Sequence, residues 1–308
     1  MNTYGEKIKI SIFGESHGSA IGVVIDGLPP GFKPDMEQVA REMARRSPGQ
    51  SALSTSRTEA DYVEIISGLF EDITTGAPLC GMIRNTNTRS GDYNKNLPRP
   101  GHADYTAYIK YKGFADYRGG GHFSGRLTAP LVFAGALAKQ LLPNVKITAK
   151  PRNDLTEAIL AAKADGDSVG GVIDCVVTGL PVGLGEPFFG SVESRLSALL
   201  FSIPAIKAVE FDDGFALTDM RGSQSNRTDF GILGGITTGQ PLRFCVAVKP
   251  TPSIALEQDT VDLTTNLPSK ITITGRHDPC IVPRAVPVVE AAAAITLLDL
   301  WLIGGFPL

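Results

Sequence analysis

Three observations in this 308-residue sequence predict an α+β protein built of two similar halves. The stretch GESHGSAIGVVIDGLPPG, residues 14–31, aligns without a gap on GDSVGGVIDCVVTGLPVG, residues 166–183. Short runs rich in β-branched residues and helical patterns recur in both halves. Each half also carries an Ala-rich helical run containing a proline, LTAPLVFAGALAKQLL and RAVPVVEAAAAITLLDLWL.

The aligned windows share glycines at 14/166, 18/170, 27/179 and 31/183, with Ser16/Ser168, Leu28/Leu180 and Pro29/Pro181. Glycine and proline in one register imply the same backbone course twice: turn, strand, then a Gly-Leu-Pro-x-Gly turn. Strands are predicted over residues 7–12, 22–25 and 62–66, and again over 171–177, 208–211, 242–248 and 271–274. Asp35 stands as a helix N-cap with Gln38 three residues on, ahead of Met36, Val39, Ala40 and Met43 on one face. Val192, Leu196, Leu199 and Leu200 keep helical spacing after the second turn. Pro130 and Pro287 are each predicted in a first helical turn, where no backbone donor is lost. Residues 1–308 therefore read as one domain of two pseudo-repeats, roughly 1–150 and 151–308. Helices and antiparallel sheets share its core, and the seam falls near 144–152.

A net charge of −3 and a pI near 5.9, without a block of like charges, argue against nucleic acid as a partner. Cys80, Cys175, Cys245 and Cys280 lie far apart and no signal-peptide pattern opens the sequence, so a reduced, cytoplasmic setting is expected. No membrane span is expected, because the most apolar run, 285–303, contains Pro287, Glu290 and Asp299. No His/Cys spacing suggests a metal site.

The halves differ at an informative place. His17 faces Val169, so the turn itself does not require histidine, and an imidazole titrating near ~6.5 can move a proton or bind phosphate. His102 in RPGHADY follows a Pro-Gly turn close to Arg99 and Asp104; a histidine oriented by its neighbouring aspartate and a chemical role both remain open. Asp278 precedes Pro279, which suits a turn or N-cap as well as a reactive carboxylate. Arg45, Arg46, Arg57, Arg99, Arg118, Arg126, Arg276 and Arg284 gather in Gly/Pro-punctuated segments, the pattern expected of a polyanionic ligand. Arg45 and Arg46 equally suit a helix C-terminus.

The stretch RGGGHFSGRLTAP, residues 118–130, resembles a phosphate loop but meets neither common fingerprint. Ser124 stands where the dinucleotide pattern needs glycine, and Arg126-Leu127 replaces the Lys-Ser/Thr of a nucleoside-triphosphate loop. That disfavours an ATP-dependent kinase. Backbone donors, Ser124 and Arg126 at a helix start remain as an anion site.

The segments FGESHGSAIGVVIDGLPPG, RRSPGQS, RPGHADYTAYIKY, DYRGGG, GGITTGQPLRFCVAVKPTPSI and GRHDPCIVPRAVPVVEA together resemble the chorismate synthase family, in the family's order. The resemblance implies a β-α-β sandwich with internal pseudo-twofold duplication and a homotetramer. The activity it implies is an anti 1,4-elimination of phosphate from 5-enolpyruvylshikimate-3-phosphate, giving chorismate with reduced FMN and no net redox change. By that resemblance His17 protonates the departing phosphate, His102 keeps the reduced flavin correctly protonated, and Asp278 helps remove the substrate proton. Flavin contacts carry over to His122, Phe123, Ser124, Pro204, Ala205, Gly234, Lys249, Pro250, Thr251, Pro252, Ser253 and Arg276. Substrate contacts carry over to Ser16, Arg46, Arg126 and Arg276.

The sequence departs from the family pattern at three places. It reads GGGHFSGRLT where many members read GGGRSSARET, and Ala52 stands where many have an arginine that contacts the substrate or a reduced nucleotide such as NADPH. The stretch GSQSNRTDFGILGG is short: either a loop is deleted there or residues are missing from it, and the second is the favoured reading. No reductase domain is visible, so reduced FMN is expected from another protein. A non-catalytic flavin- or anion-binding module on the same fold is the alternative, and release of phosphate from the substrate separates the two.

Overall fold

The computed structural model describes residues 2–49, 61–86, 88, 90–275 and 277–308. The first sheet runs in the order β1 (Thr3–Tyr4), β2 (Lys9–Gly14), β3 (Ala20–Asp26), β7 (Leu79–Arg84), β4 (Glu64–Ser67), with every pair antiparallel. The second runs β10 (Ile206–Phe211), β13 (Leu242–Val248), β9 (Gly171–Thr178), β8 (Lys146–Pro151), again antiparallel throughout. Three short hairpins pair β5 (Leu69–Phe70) with β6 (Ile73–Thr74), β11 (Ile232–Leu233) with β12 (Ile236–Thr237), and β14 (Glu257–Asp262) with β15 (Leu267–Thr272). The helices are α1 (Met36–Arg46), α2 (Asp104–Lys110), α3 (Thr128–Leu141), α4 (Thr156–Ala164), α5 (Val192–Leu200), α6 (Gly222–Ser225) and α7 (Val282–Ile303).

Period-two burial explains how each sheet acquires one apolar face. Leu242, Phe244, Val246 and Val248 of β13 are buried, as are Ile173, Cys175 and Val177 of β9, with their neighbours in sequence more exposed. Against these faces lie α3 and α7, apolar nearly all round and therefore largely internal. The α3 helix packs on β3 and β7, α7 packs on β8 and β9, and the two helices pack on each other. The result is a β-α-β sandwich. At the helix crossing Gly135 is required, because a Cβ there would lie 2.3 Å from the Ala291 Cβ. The apolar stretch of α7 is 89% buried and serves as the core helix of this sandwich.

The turns after β3 and β9 are held alike. Gly27 and Gly179 have φ of 93° and 82°, and a Cβ on either would run into a carbonyl oxygen, that of Lys7 or of Asn144. The Thr74 hydroxyl donates to the Pro29 carbonyl at 2.6 Å, and the Thr237 hydroxyl to the Pro181 carbonyl at 2.7 Å.

Several expectations need correction. Pro287 lies inside α7, because the helix begins at Val282 and Pro283 takes the first turn; Pro287 leaves the Pro283 carbonyl without its helical donor. Asp35 caps α1 by accepting from the Glu37 and Gln38 backbones, but its own N–H goes to the Gln140 side chain of α3 and not back to Gln38. The strand expected over 271–274 ends at Thr272, because pairing with β14 fixes its length. Residues 146–151 form β8, an edge strand of the second sheet. The chain runs from α6 into β11 through residues 226–231.

Candidate active site

A cavity of about 660 Å³ opens where loops from both halves converge at the N-terminal ends of α3 and α7. Ser16 and His17 enter it on the turn after β2, whose last residue, Gly14, has φ of 94°. The Ser16 backbone N–H donates to the Gly121 carbonyl at 3.0 Å, which braces the glycine loop. His17 Nδ1 meets the Ser90 hydroxyl at 3.0 Å, and the Tyr93 ring stands edge-on at 5.2 Å.

Close approach explains the three glycines of that loop. Gly119, Gly120 and Gly121 all have positive φ; a Cβ at 119 would lie 2.5 Å from the His17 ring, and one at 121 would lie 2.1 Å from the Asp116 carbonyl. Ser124 then caps the turn before α3 by accepting from the Arg126 N–H at 3.3 Å. The His122 side chain is occupied within the protein: its Nδ1–H donates to the Gly14 carbonyl at 2.7 Å.

His102 follows the Pro-Gly turn and lies in the cavity wall, with Nε2 2.7 Å from the hydroxyl of buried Ser253. Burial, and then the Arg99 cation, push its pKa down to about 3, so the imidazole is neutral at physiological pH. Asp104 does not orient this ring; it grips Arg99 through Nε at 2.7 Å and Nη2 at 2.9 Å. The Arg99 guanidinium in turn lies 5.0 Å over the Tyr93 ring. Tyr93, Arg99 and Asp104 also separate the main cavity from a smaller one of about 270 Å³.

One wall is cationic. Arg46 from the last turn of α1 and Arg126 from the turn before α3 are 3% and 6% exposed, yet both line the cavity. Asp61 lies between them, taking Arg46 Nη1 at 2.5 Å on one oxygen and Arg126 Nη1 on the other. Burial lowers the Arg46 pKa to about 10, with Asp61 opposing the fall. Burial alone would raise Asp61; the two guanidinium groups outweigh it and hold the carboxyl below its usual range. Arg284, in the first turn of α7, donates to the Arg46 carbonyl at 3.0 Å and to Asp278.

The second half supplies the opposite wall. Pro204 and Ala205 lie between α5 and β10; Ala205 has φ of 77°, and its carbonyl accepts from the Lys249 backbone at 3.0 Å. Lys249 Nζ donates to the Gly101 carbonyl at 2.5 Å, and burial lowers its pKa. The Ser168 hydroxyl holds the Thr251 carbonyl at 2.6 Å, while the buried Thr251 hydroxyl has no partner among the described residues. The Val169 N–H donates to the Pro279 carbonyl at 2.9 Å, beside Asp278.

Ser16, His17, Arg46, His102, His122, Phe123, Ser124, Arg126, Pro204, Ala205, Lys249, Thr251, Pro252, Ser253 and Asp278 all line the cavity. Pro250 does not. Gly234 does not either: it sits in the tight turn between β11 and β12, where φ of 61° accounts for the glycine. Arg276 lies outside the described residues, as do Ala52 and Arg57. Arg45 points away to Glu290, and Arg118 pairs with Asp116. Sequence reasoning missed Asp61 altogether and placed Arg284 only among the arginines gathered for a polyanionic ligand. No motif marks Asp61, whose partners stand 15 and 65 positions away.

The arrangement places three buried arginines, four histidines and two aspartates around one cavity, a set fitted to bind an anion and move protons. A family model described as chorismate synthase matches residues 8–152 and 147–302. The chorismate synthase of Chitinophaga pinensis is 47% identical over 323 aligned residues, covering 98% of this chain and 97% of that protein. That of Dehalococcoides mccartyi is 44% identical over 354, covering 99% and 97%. A solved crystal structure of chorismate synthase matches with a TM-score of 0.74 at 25% identity, over 98% of this chain and 94% of its own. The chain belongs to the chorismate synthase family of carbon–oxygen lyases.

Proposed function

We propose that this chain converts 5-enolpyruvylshikimate-3-phosphate to chorismate and inorganic phosphate by an anti 1,4-elimination that requires reduced FMN. The observation that carries this reading is the convergence of His17, His102, Asp278 and the arginines Arg46 and Arg126 on one cavity of about 660 Å³. A substrate bearing two carboxylates and a phosphate suits that cationic wall. The residues present also fit a flavin. Thr251 offers a buried hydroxyl without a partner among the described residues, Phe123, Pro204 and Pro252 offer apolar surface, and Lys249 offers a cation.

In this reading Ser16, Arg46 and Arg126 hold the substrate anions. His17, set by Ser90 and Tyr93, gives a proton to the departing phosphate. Reduced FMN, when bound, donates electron density transiently and weakens the carbon–oxygen bond. Asp278, fixed by Arg284, helps take the substrate proton. His102 is held neutral first by burial and then by the Arg99 cation, and an anionic ligand would offset only the second of these. Flavin contacts are proposed for His122 and Phe123 through the backbone, for Ser124, Pro204, Ala205 and Lys249, and for Thr251, Pro252 and Ser253. Pro250, Gly234 and Arg276 are retained in the proposal by resemblance alone. A homotetramer in the cytoplasm, with reduced FMN supplied by a separate reductase, completes it.

The test is anaerobic mixing of the protein with reduced FMN and substrate, following phosphate and chorismate together. Both should appear, and neither should appear with oxidised FMN. Binding of reduced FMN without phosphate release would establish a non-catalytic module instead. For Asp278→Asn, flavin binding should persist while turnover falls about 10²–10⁴-fold; a variant that loses flavin would remove Asp278 from the chemistry.

A further inference from the structure

We propose that Asp61 is a positioning residue for the anion clamp, holding Arg46 and Arg126 side by side before substrate arrives; the inference rests on the reading that these arginines bind substrate. Two buried guanidinium groups repel each other, and a wall made of them forms only around a counter-charge. The Asp61 side chain is fully buried and each arginine side chain is 4% exposed. Its two oxygens are divided between them, Oδ2 to Arg46 and Oδ1 to Arg126, and the Ser47 hydroxyl adds a bond to Oδ2 at 3.2 Å.

Bonds on either side fix the two guanidinium planes. Arg46 Nε donates to the Thr128 hydroxyl and Nη2 to the Gly125 carbonyl, each at 3.1 Å. Together with the bond to Asp61 these use three of its five N–H groups among the described residues, which leaves two for a ligand. Arg126 Nε donates to the Asn85 side chain at 3.1 Å. The trio carries one net positive charge, and the repulsion between its cations is overcome when the protein folds. Substrate then meets a clamp already in place, so less of its binding energy goes to ordering the arginines.

Asp61→Glu and Asp61→Asn test this, read by KM and kcat for the substrate, the Kd of inorganic phosphate by calorimetry, the affinity for reduced FMN, and the thermal midpoint. Asp61→Glu keeps the charge and displaces the carboxylate by one methylene. It should raise KM and the phosphate Kd about tenfold or more, with kcat within about threefold and FMN affinity unchanged. Asp61→Asn should shift both in the same direction. If it does not fold, Asp61→Glu alone decides. A folded Asp61→Glu with unchanged KM and phosphate Kd, whatever its thermal midpoint, overturns the proposal. So does tighter phosphate binding by Asp61→Asn, which would make the carboxylate a mere counter-charge. Absence of turnover by the unaltered chain would overturn the proposed reaction instead, and the phosphate measurements would still decide the role of Asp61.

Discussion

His17 and Val169 occupy corresponding turns with different neighbours. The first turn braces the glycine loop through the Ser16 N–H, and the second braces the Asp278 loop through the Val169 N–H. Since the backbone serves the bracing in both, His17→Ala should keep the thermal midpoint within a few degrees while cutting turnover about 10²–10⁴-fold; unimpaired turnover would remove His17 from the chemistry. Gly119→Ala is a complementary test. Its Cβ would lie 2.5 Å from the His17 ring at a φ of 61°, so it should displace the imidazole and lower kcat although no functional group is lost. Steady-state kinetics at saturating substrate would show it. At this scale the sequence was informative wherever one residue type already limits the chemistry, as with His17, Arg46 and Arg126 in Gly/Pro-rich loops. Asp61 was illegible because a carboxylate acquires its meaning from what folding brings beside it.

Among the elements, α3 and α7 set the tolerances. Ala291 touches Gly135 so closely that Gly135→Ala should overpack the crossing and cost about 1–3 kcal/mol, measurable by urea denaturation. Glu290 ties three elements to α7: it accepts from Arg45 at 2.7 and 2.9 Å, from Lys139 at 2.7 Å and from the Ala149 N–H of β8 at 3.0 Å. Removing the carboxylate leaves the Ala149 N–H without its acceptor and Arg45 and Lys139 with Glu42 alone, so Glu290→Ala should lose about 1–3 kcal/mol. Alternation and Ala-rich runs made the strands and both core helices legible, because period-two and all-apolar patterns are local. The interior position of Pro287 and the partner of the Asp35 N–H were not legible. Both depend on where a neighbouring element starts or lies.

Over the whole molecule, acid should be the weak side. The folded protein holds the His102 pKa near 3 against an ordinary value of 6.5, so between those pH values the unfolded chain binds a proton that the native state refuses. Stability therefore falls as pH drops below about 6.5. Asp61, Asp104 and Glu290, whose pKa values are lowered by paired cations, lose their contribution at still lower pH. Denaturant titrations at pH 7.0 and 5.0 should show the loss, and His102→Asn should reduce the part that appears above pH 5. The recurrence of glycines, together with the matching threonine bonds at Pro29 and Pro181, leads us to propose two copies of one unit. What no repeat announces is how the copies close on each other, since α7 fills the space between two sheets whose strands come from distant parts of the chain. Its Asp299 carboxylate accepts the N–H groups of Glu6, Lys7 and Ile8, 291–293 residues earlier. During synthesis at about 5–20 residues per second, those N–H groups wait roughly 15–60 s for their acceptor. Until α7 emerges, the second sheet lacks the helix that packs on β8 and β9, so demand for a chaperone should peak just before α7 leaves the ribosome.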